Sequence, residues 1–146
     1  MSSEAHQVAR TPAPLTRELL AGQLRELGLR GGEVLRVHGS LSALGWVVGG
    51  AVTVIEALLE VLGEEGTLVM PSQTPENTDP HQWENPAVPR EWWDVIRASL
   101  PAFDPSKTPT RGMGVIAEAF RSWPGAVRSN HPTVSFAARG PVAPRI

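Results

Sequence analysis

The segment between residues 37 and 55 carries the pattern best suited to binding an anion. An apolar run ends at His38-Gly39-Ser40, a loop rich in glycine and serine follows, and a helical pattern begins directly after Gly50. The N–H groups and hydroxyls of such a loop donate to an anion, and the positive end of the helix dipole lies behind them. The segment therefore predicts a seat for the phosphates or the amide arm of a nucleotide-type ligand. A plain connection between a strand and a helix has the same pattern and is the structural alternative.

A second group of polar side chains lies in the proline-rich segment 71–90. Three carboxylates, a histidine and an indole fall within nine residues: Glu76, Asp79, His81, Trp83 and Glu84. Carboxylates pair with ammonium groups, and an indole offers a flat face to a sugar or a cation. The set suits a cationic, polyhydroxylated ligand, although a solvated loop pinned by one tryptophan has the same composition.

Two further segments could serve an anionic ligand or supply a base. Arg111 stands between small residues just before a helical pattern, and its planar guanidinium suits a phosphate. Ser129, His131 and Ser135 form a polar cluster, in which His131 could act as a general base or orient one. A helix-entry turn with a surface arginine, and a histidine that only holds its own turn, are the structural alternatives.

Composition and spacing exclude several other chemistries. The chain has 146 residues, no cysteine, no tyrosine and a formal net charge of −2. A disulfide scaffold, a zinc–thiolate site, a cysteine nucleophile and a tyrosine acid or base are therefore excluded, and nucleic acid is not favoured as a partner. The histidines lack metal-ligand spacing, so no metal is expected. Neither a Gly-x-Ser-x-Gly elbow nor a Walker motif occurs, and Lys107 is the only lysine, which disfavours a serine hydrolase, a kinase or a GTPase.

Helical and strand patterns alternate along the chain and predict an α/β fold. Residues 1–14 are polar with two prolines and are expected to form a flexible tail. Helices are predicted at 16–27, 51–62, 91–99 and 113–122, and strands at 33–37 (buried), 67–70 and 134–138. Helix–strand–helix–strand order with a right-handed crossover predicts that the first two strands are parallel.

Two expectations concern where the chain acts and how much of a domain it forms. No apolar run reaches the roughly 20 residues of a membrane span, so a cytoplasmic protein without a membrane partner is expected. The chain ends soon after Gly140 without a polar tail, so an incomplete domain is expected. The oligomeric state is left open by the sequence.

Five segments taken together resemble the aminoglycoside 3-N-acetyltransferase family. They keep the order and spacing of that family from about residue 15 to the end of the chain. The segments are His-Gly-Ser-Leu-Ser-Ala-Leu-Gly at 38–45 with Gly-Gly-Ala at 49–51, Thr-Asp-Pro at 78–80, Trp-Trp at 92–93, Phe-Asp-Pro at 103–105 with Thr-Pro-Thr-Arg-Gly-Met-Gly at 108–114, and Arg-Ser-Asn-His-Pro at 128–132 with Ser-Phe-Ala-Ala at 135–138.

The resemblance implies a three-layer α/β/α fold around a mixed sheet. It implies transfer of an acetyl group from acetyl-CoA to the 3-amino group of a 2-deoxystreptamine aminoglycoside antibiotic, which confers resistance. Glu76, Asp79 and Trp83 would then lie towards the antibiotic. The residues implied for acetyl-CoA are His38, Ser40, Leu41, Ser42, Gly45, Gly49, Gly50, Arg111, Gly112, Met113, Ser129, His131 and Ser135.

The resemblance covers only the N-terminal half of the family, which is assigned here to residues 15–146. The second half of the family carries a histidine, implied to deprotonate the amine, and an acidic residue after it. Nothing in this chain matches that stretch, and His38, His81 and His131 do not align with it, so the catalytic residue is unknown. Three hypotheses stay open: part of an acetyltransferase, a module that binds coenzyme A or an antibiotic without turnover, and a fragment that aggregates through an exposed sheet edge.

Overall fold

The computed structural model describes residues 3–146, over which helices and strands alternate. The helices are α1 (Ser3–Arg10), α2 (Arg17–Glu26), α3 (Leu41–Leu44), α4 (Gly50–Leu62), α5 (Trp93–Ser99) and α6 (Val115–Arg121). The strands are β1 (Val34–Arg36), β2 (Thr67–Pro71), β3 (Val127–Arg128) and β4 (Phe136–Arg139). Short 3₁₀ turns lie at Pro80–Gln82, Arg90–Trp92 and Ala143–Arg145.

The strands form a mixed sheet in the order β1-β2-β4-β3. β1 pairs with β2 in parallel, as the crossover argument predicted, while β4 runs antiparallel to both β2 and β3. The predicted α/β fold with a mixed sheet is thereby confirmed. The carboxyl ends of β1 and β2 and the turn between β3 and β4 consequently lie at one edge of the sheet.

The main core lies between the sheet and the helices α2, α4 and α6. α4 and α6 pack on the sheet and on each other, and α2 packs on α4. Ile55, Leu62, Leu68 and Phe120 are fully buried there. On the opposite face of the sheet, a small cluster of β2 and β4 side chains packs against the 3₁₀ turn at Ala143–Arg145.

Helix α4 spans nearly the residues 51–62 at which the sequence predicted a helix. It begins after Gly49, whose φ is 78°, and ends at Gly63, whose N–H donates to the Leu59 carbonyl at 2.9 Å. α2 begins after Thr16, which caps it, because the Thr16 hydroxyl accepts from the N–H of Leu19 at 3.2 Å.

Several local features differ from the sequence predictions. β1 is not buried, since Val34 is 59% exposed, because β1 is an edge strand with β2 as its partner. β3 and α3 were not predicted, since two and four residues are too few for a periodic pattern. Part of the expected flexible tail forms α1, and residues 1–2 of that tail lie outside the described residues.

Helix α1 is held by contacts with a distant part of the chain. The Glu4 carboxylate accepts from Trp46 Nε1 at 3.3 Å, and the Thr11 hydroxyl accepts from the Trp46 N–H at 2.8 Å. A composition-based argument sees only local polarity and therefore misses such contacts. Across residues 3–146, no helix combines the length and the apolar character needed to cross a membrane.

Truncation of Phe120 tests the position of the core. F120A removes a fully buried ring from α6, so we expect the free energy of unfolding to fall by about 3–5 kcal/mol in urea titrations followed by circular dichroism. V115A alters the same helix at a residue that is 57% exposed, and it should change that free energy by about 0.5 kcal/mol or less. Equal effects of the two substitutions would contradict the assigned core.

Candidate functional site

The predicted site residues lie on loops that meet at the edge where β1 and β2 end. We call them the Ser/Gly loop (38–50, after β1), the acidic loop (72–86, after β2), the arginine loop (108–114, before α6) and the β3–β4 turn (129–135). The acidic loop is joined to the β3–β4 turn by backbone hydrogen bonds from Ser72 to Ser135 at 2.8 Å and from Thr74 to Thr133 at 2.9 Å. Ligands of open α/β sheets bind in the crevice at this kind of edge.

The Ser/Gly loop presents hydroxyls to solvent. Ser40 Oγ and Ser42 Oγ lie 2.9 Å apart, and both residues are exposed, as is His38. Gly45 has a φ of 103°, and a Cβ added to it would lie 2.7 Å from Thr11 Oγ1. A glycine is therefore required for the N-terminal segment to approach the loop.

The arginine loop lies against both the Ser/Gly loop and the acidic loop. A Cβ added to Gly114 would lie 3.3 Å from the Gly39 carbonyl oxygen. The Arg111 N–H donates to the Gln73 carbonyl at 3.0 Å, and Arg111 Nη2 lies 3.5 Å from the Asn85 carbonyl oxygen. Of its neighbours, Gly112 is exposed and Met113 packs against the core.

Glu118 on α6 fixes the arginine loop. Its Oε2 accepts from the N–H and the hydroxyl of Thr110, both at 2.7 Å, and its Oε1 accepts from Arg121. Burial alone would raise the pKa of Glu118, but the hydrogen bonds from Arg121 and Thr110 outweigh it and hold that pKa below its ordinary value. The carboxylate therefore orients the backbone one residue before Arg111.

A cavity of about 330 Å³ opens between the acidic loop and Arg111. Its walls include Glu76, Trp83, Glu84 and Arg111. Glu76 Oε2 and Trp83 Nε1 are buried and have no hydrogen-bond partner among the residues described. Buried polar atoms in folded proteins are nearly always paired with protein groups or ordered water, so these two atoms are candidate partners for a ligand or for bound water.

Asp79 lies outside this cavity and holds α5 to the acidic loop. Arg97 donates to it twice, from Nε to Oδ2 and from Nη2 to Oδ1, both at 2.9 Å, and His81 Nδ1 lies 2.7 Å from Oδ1. The hydrogen bonds from Arg97 and then His81 keep the pKa of this carboxyl well below its usual range. The structure thus separates Asp79 from Glu76 and Trp83, with which the sequence grouped it.

The residues of the β3–β4 turn chiefly hold the turn itself. His131 Nδ1 accepts from the N–H groups of Thr133 and Val134 at 3.1 and 3.0 Å, and Ser129 Oγ accepts from the Phe136 N–H at 2.9 Å. Ser135 is fully buried, and its hydroxyl donates to the Ser72 carbonyl at 2.8 Å. Its hydroxyl supports the loop edge, and the ligand contact expected from the sequence stays a prediction.

Arg128, at the end of β3, was not among the predicted site residues, although it organises the site. Its guanidinium donates to the carbonyl oxygens of Ser72 at 2.7 Å and of Thr108, and to Ser135 Oγ at 3.0 Å. It also lies 5.1 Å from the centre of the Phe103 ring. Its position in the motif at 128–132 was the sequence signal for it, but its acceptors are mostly backbone carbonyls, which a sequence does not reveal.

The fold and the four loops define an α/β protein with a candidate ligand site at one edge of its sheet, and comparison identifies its family. The family model described as aminoglycoside 3-N-acetyltransferase matches residues 37–146. The chain therefore belongs to the aminoglycoside 3-N-acetyltransferase family. This confirms the resemblance found in the sequence.

Individual relatives agree with this assignment. The SPbeta prophage-derived aminoglycoside N(3′)-acetyltransferase-like protein YokD of Bacillus subtilis is 55% identical over 91% of this chain and 49% of the relative. Aminoglycoside N(3)-acetyltransferase IX of Micromonospora chalcea is 44% identical over 89% of this chain and 46% of the relative. This chain spans about half the length of these curated relatives.

Solved structures share the fold. The crystal structure of YokD from Bacillus subtilis has a TM-score of 0.94 at 51% identity and covers 97% of this chain and 53% of that one. AAC-IIIb in its binary complex with CoASH has a TM-score of 0.75 at 33% identity and covers 90% of this chain and 48% of that one. AAC-VIa bound to sisomicin has a TM-score of 0.77 at 36% identity, with 91% and 48% covered.

Replacement of Asp79 by asparagine tests the ion pair that holds the acidic loop. Since the pKa of Asp79 lies below its ordinary 3.8 in the folded protein, its stabilising effect is present above about pH 4 and is lost as the pH falls further. We expect D79N to lower the melting temperature at about pH 7, and its difference from wild type to shrink towards about pH 2. D94N, which removes the more exposed partner of Arg97, should have a smaller effect. A difference between D79N and wild type that does not vary with pH would contradict the assignment.

Replacement of Arg128 by lysine tests its role as the link between the loops. Lysine keeps the charge but lacks the planar guanidinium fork, so it cannot donate at once to the carbonyls and the hydroxyl of the three loops. We expect R128K to lower the free energy of unfolding by about 2–3 kcal/mol in urea titrations. R139K is the matched control, because Arg139 is exposed where it donates to the Pro124 carbonyl, and it should change the same quantity by about 0.5 kcal/mol or less. Similar losses in both variants would show that Arg128 has no special role.

Proposed function

We propose that this chain forms the ligand-binding part of an enzyme that transfers an acetyl group from acetyl-CoA to the 3-amino group of a 2-deoxystreptamine aminoglycoside, and so confers resistance. One observation carries the proposal. The arginine loop lies against the loop of exposed hydroxyls at Gly114, and its Arg111 lines a cavity together with Glu76 and Trp83, whose buried Oε2 and Nε1 atoms lack partners among the described residues. Anionic and cationic ligands would thus meet at one edge of the sheet.

The Ser/Gly loop suits the anionic, amide-containing donor. Ser40 and Ser42 offer exposed hydroxyls, and α4, which has 13 residues, begins where the loop ends. Gly49 has a φ of 78°, and a Cβ added to it would lie 2.5 Å from Thr53 Oγ1, so a glycine is needed where the loop enters α4. Acetyl-CoA, when bound, supplies the acetyl group as a thioester. The CoASH bound to AAC-IIIb supports a coenzyme A thioester as the donor.

The cavity beside Arg111 suits the acceptor. Aminoglycosides carry ammonium groups and hydroxyls, which would donate to the carboxylates of Glu76 and Glu84 and accept from Trp83 Nε1. A hydrogen bond from the ligand would matter most at Glu76 Oε2, because this atom is buried and has no partner among the described residues. The sisomicin bound to AAC-VIa supports an aminoglycoside as the ligand.

The reaction needs a group that removes a proton from the acceptor. The ammonium must lose a proton before its nitrogen forms the new C–N bond, the thioester C–S bond then breaks, and the sulfur leaves as a thiol. Within the described residues, no histidine lines the cavity of Glu76 and Trp83. This observation favours a second candidate function, in which this chain binds both ligands without turnover.

A thiol-release assay on the 146-residue chain separates the two candidates. The transferase is supported if acetyl-CoA releases free thiol only when a 2-deoxystreptamine aminoglycoside is added. Mass spectrometry should then show one acetylated product molecule per thiol. Binding of both ligands by calorimetry without thiol release supports the binding module. A chain that binds neither ligand overturns both.

Substitution of Glu76 tests the acceptor side. E76Q removes a charge-assisted hydrogen bond, so we expect the dissociation constant of an aminoglycoside to rise by about tenfold in calorimetry. The control is E64Q, a glutamate in the turn between α4 and β2, at the opposite edge of the sheet. Equal affinity of wild type and E76Q would remove the cavity from the acceptor site.

A further inference from the structure

A second cavity, of about 590 Å³, lies between the N-terminal segment and the Ser/Gly loop. His6 and Arg10 on α1 line one side of it, and Ser42 and Gly45 line the other. Ligand pockets commonly have volumes of roughly 300–1,000 Å³, so the space accommodates a nucleotide better than a single ion. The family model begins at residue 37, so neither it nor the motifs of the resemblance include the α1 wall.

The walls of this cavity are held in place by a hydrogen-bonded junction. Thr11 Oγ1 donates to the Gln7 carbonyl at 2.7 Å and accepts from the Trp46 N–H at 2.8 Å. Leu15 and Trp46 are joined by a backbone hydrogen bond of 3.0 Å, and the absence of a side chain at Gly45 lets Thr11 approach. The segment 3–15 therefore forms a fixed side of the cavity next to the Ser/Gly loop.

The chemistry of the lining favours an anion. Arg10 is exposed and takes part in no ion pair among the residues described. The residues that line the cavity include no carboxylate, and Glu4, the acidic residue of α1, is bonded to Trp46 Nε1 instead. The Arg10 guanidinium, the His6 imidazole and the Ser42 hydroxyl are groups that bind phosphate oxygens.

We propose that this cavity binds the phosphorylated nucleotide end of the donor, with Arg10 as its principal phosphate ligand. The inference rests on the proposed function, because it assumes that the Ser/Gly loop holds the donor. Ser42 belongs to both surfaces, so a single extended ligand can contact the exposed hydroxyls of that loop and Arg10 together. Helix α1 then takes part in donor binding, in addition to its contacts with Trp46.

The experiment compares four ligands by calorimetry with the full chain at low ionic strength: coenzyme A, adenosine 3′,5′-bisphosphate, pantetheine and inorganic phosphate. We expect R10Q to raise the dissociation constants of coenzyme A and the bisphosphate by about tenfold, since one charge-assisted contact is lost. Pantetheine, which has no phosphate, should bind R10Q and wild type equally. R10K should recover part of the affinity, and its retained charge separates loss of binding from loss of folding.

The matched control is R30Q, at an exposed arginine before β1 and therefore at the other edge of the sheet. It should leave all four dissociation constants unchanged. If wild type binds coenzyme A and R10Q binds it with the same affinity, this inference alone is overturned. If wild type does not bind coenzyme A, the proposed function is overturned. The inference is also overturned if R10Q weakens the binding of inorganic phosphate but not that of coenzyme A, since the cavity would then bind a separate anion.

Discussion

The edge of the sheet that carries the candidate site depends on the hydrogen bonds that the Arg128 guanidinium donates. It donates to the acidic loop at Ser72, to the arginine loop at Thr108 and to the β3–β4 turn at Ser135. Partial burial lowers the pKa of Arg128 below its ordinary value, yet an arginine remains charged at neutral pH, so its donors to buried carbonyls are strong. Three irregular loops thus have a fixed arrangement although they share little regular secondary structure.

The other charged groups near this edge divide into those that hold the loops and those that face a cavity. Asp79 is bound by Arg97 and His81, and Glu118 by Arg121 and Thr110. Their carboxylates already accept hydrogen bonds within the protein, and a direct contact of Asp79 with a ligand stays a prediction. Glu76 has a buried oxygen without a partner, and Arg111 lines the same cavity. The capacity to bind a polar ligand is concentrated where charge is not already paired.

The N-terminal segment brings residues that precede the region matched by the family model next to the Ser/Gly loop. That model begins at residue 37, whereas the YokD structure covers 97% of this chain. The contacts of Trp46 with Glu4 and Thr11 explain how residues so early in the chain come to lie beside the Ser/Gly loop. Since this chain spans about half the length of its curated relatives, the acetyl transfer itself remains a proposal for the thiol-release assay to decide.

The sequence by itself determined the helices α2, α4, α5 and α6, the strand β2, the parallel pairing of β1 with β2, and the family. These follow from helical and strand patterns, from the order of those elements with a right-handed crossover, and from motifs in a fixed order, all of which can be read along the chain. Tertiary structure alone decided that β1 is an exposed edge, that α1 docks on Trp46, that Asp79 is paired while Glu76 is not, and that Arg128 joins three loops. The reason is that these features depend on backbone carbonyls and on partners distant in sequence, such as Ser72 and Arg128, which are 56 positions apart, and neither leaves a pattern in residue types.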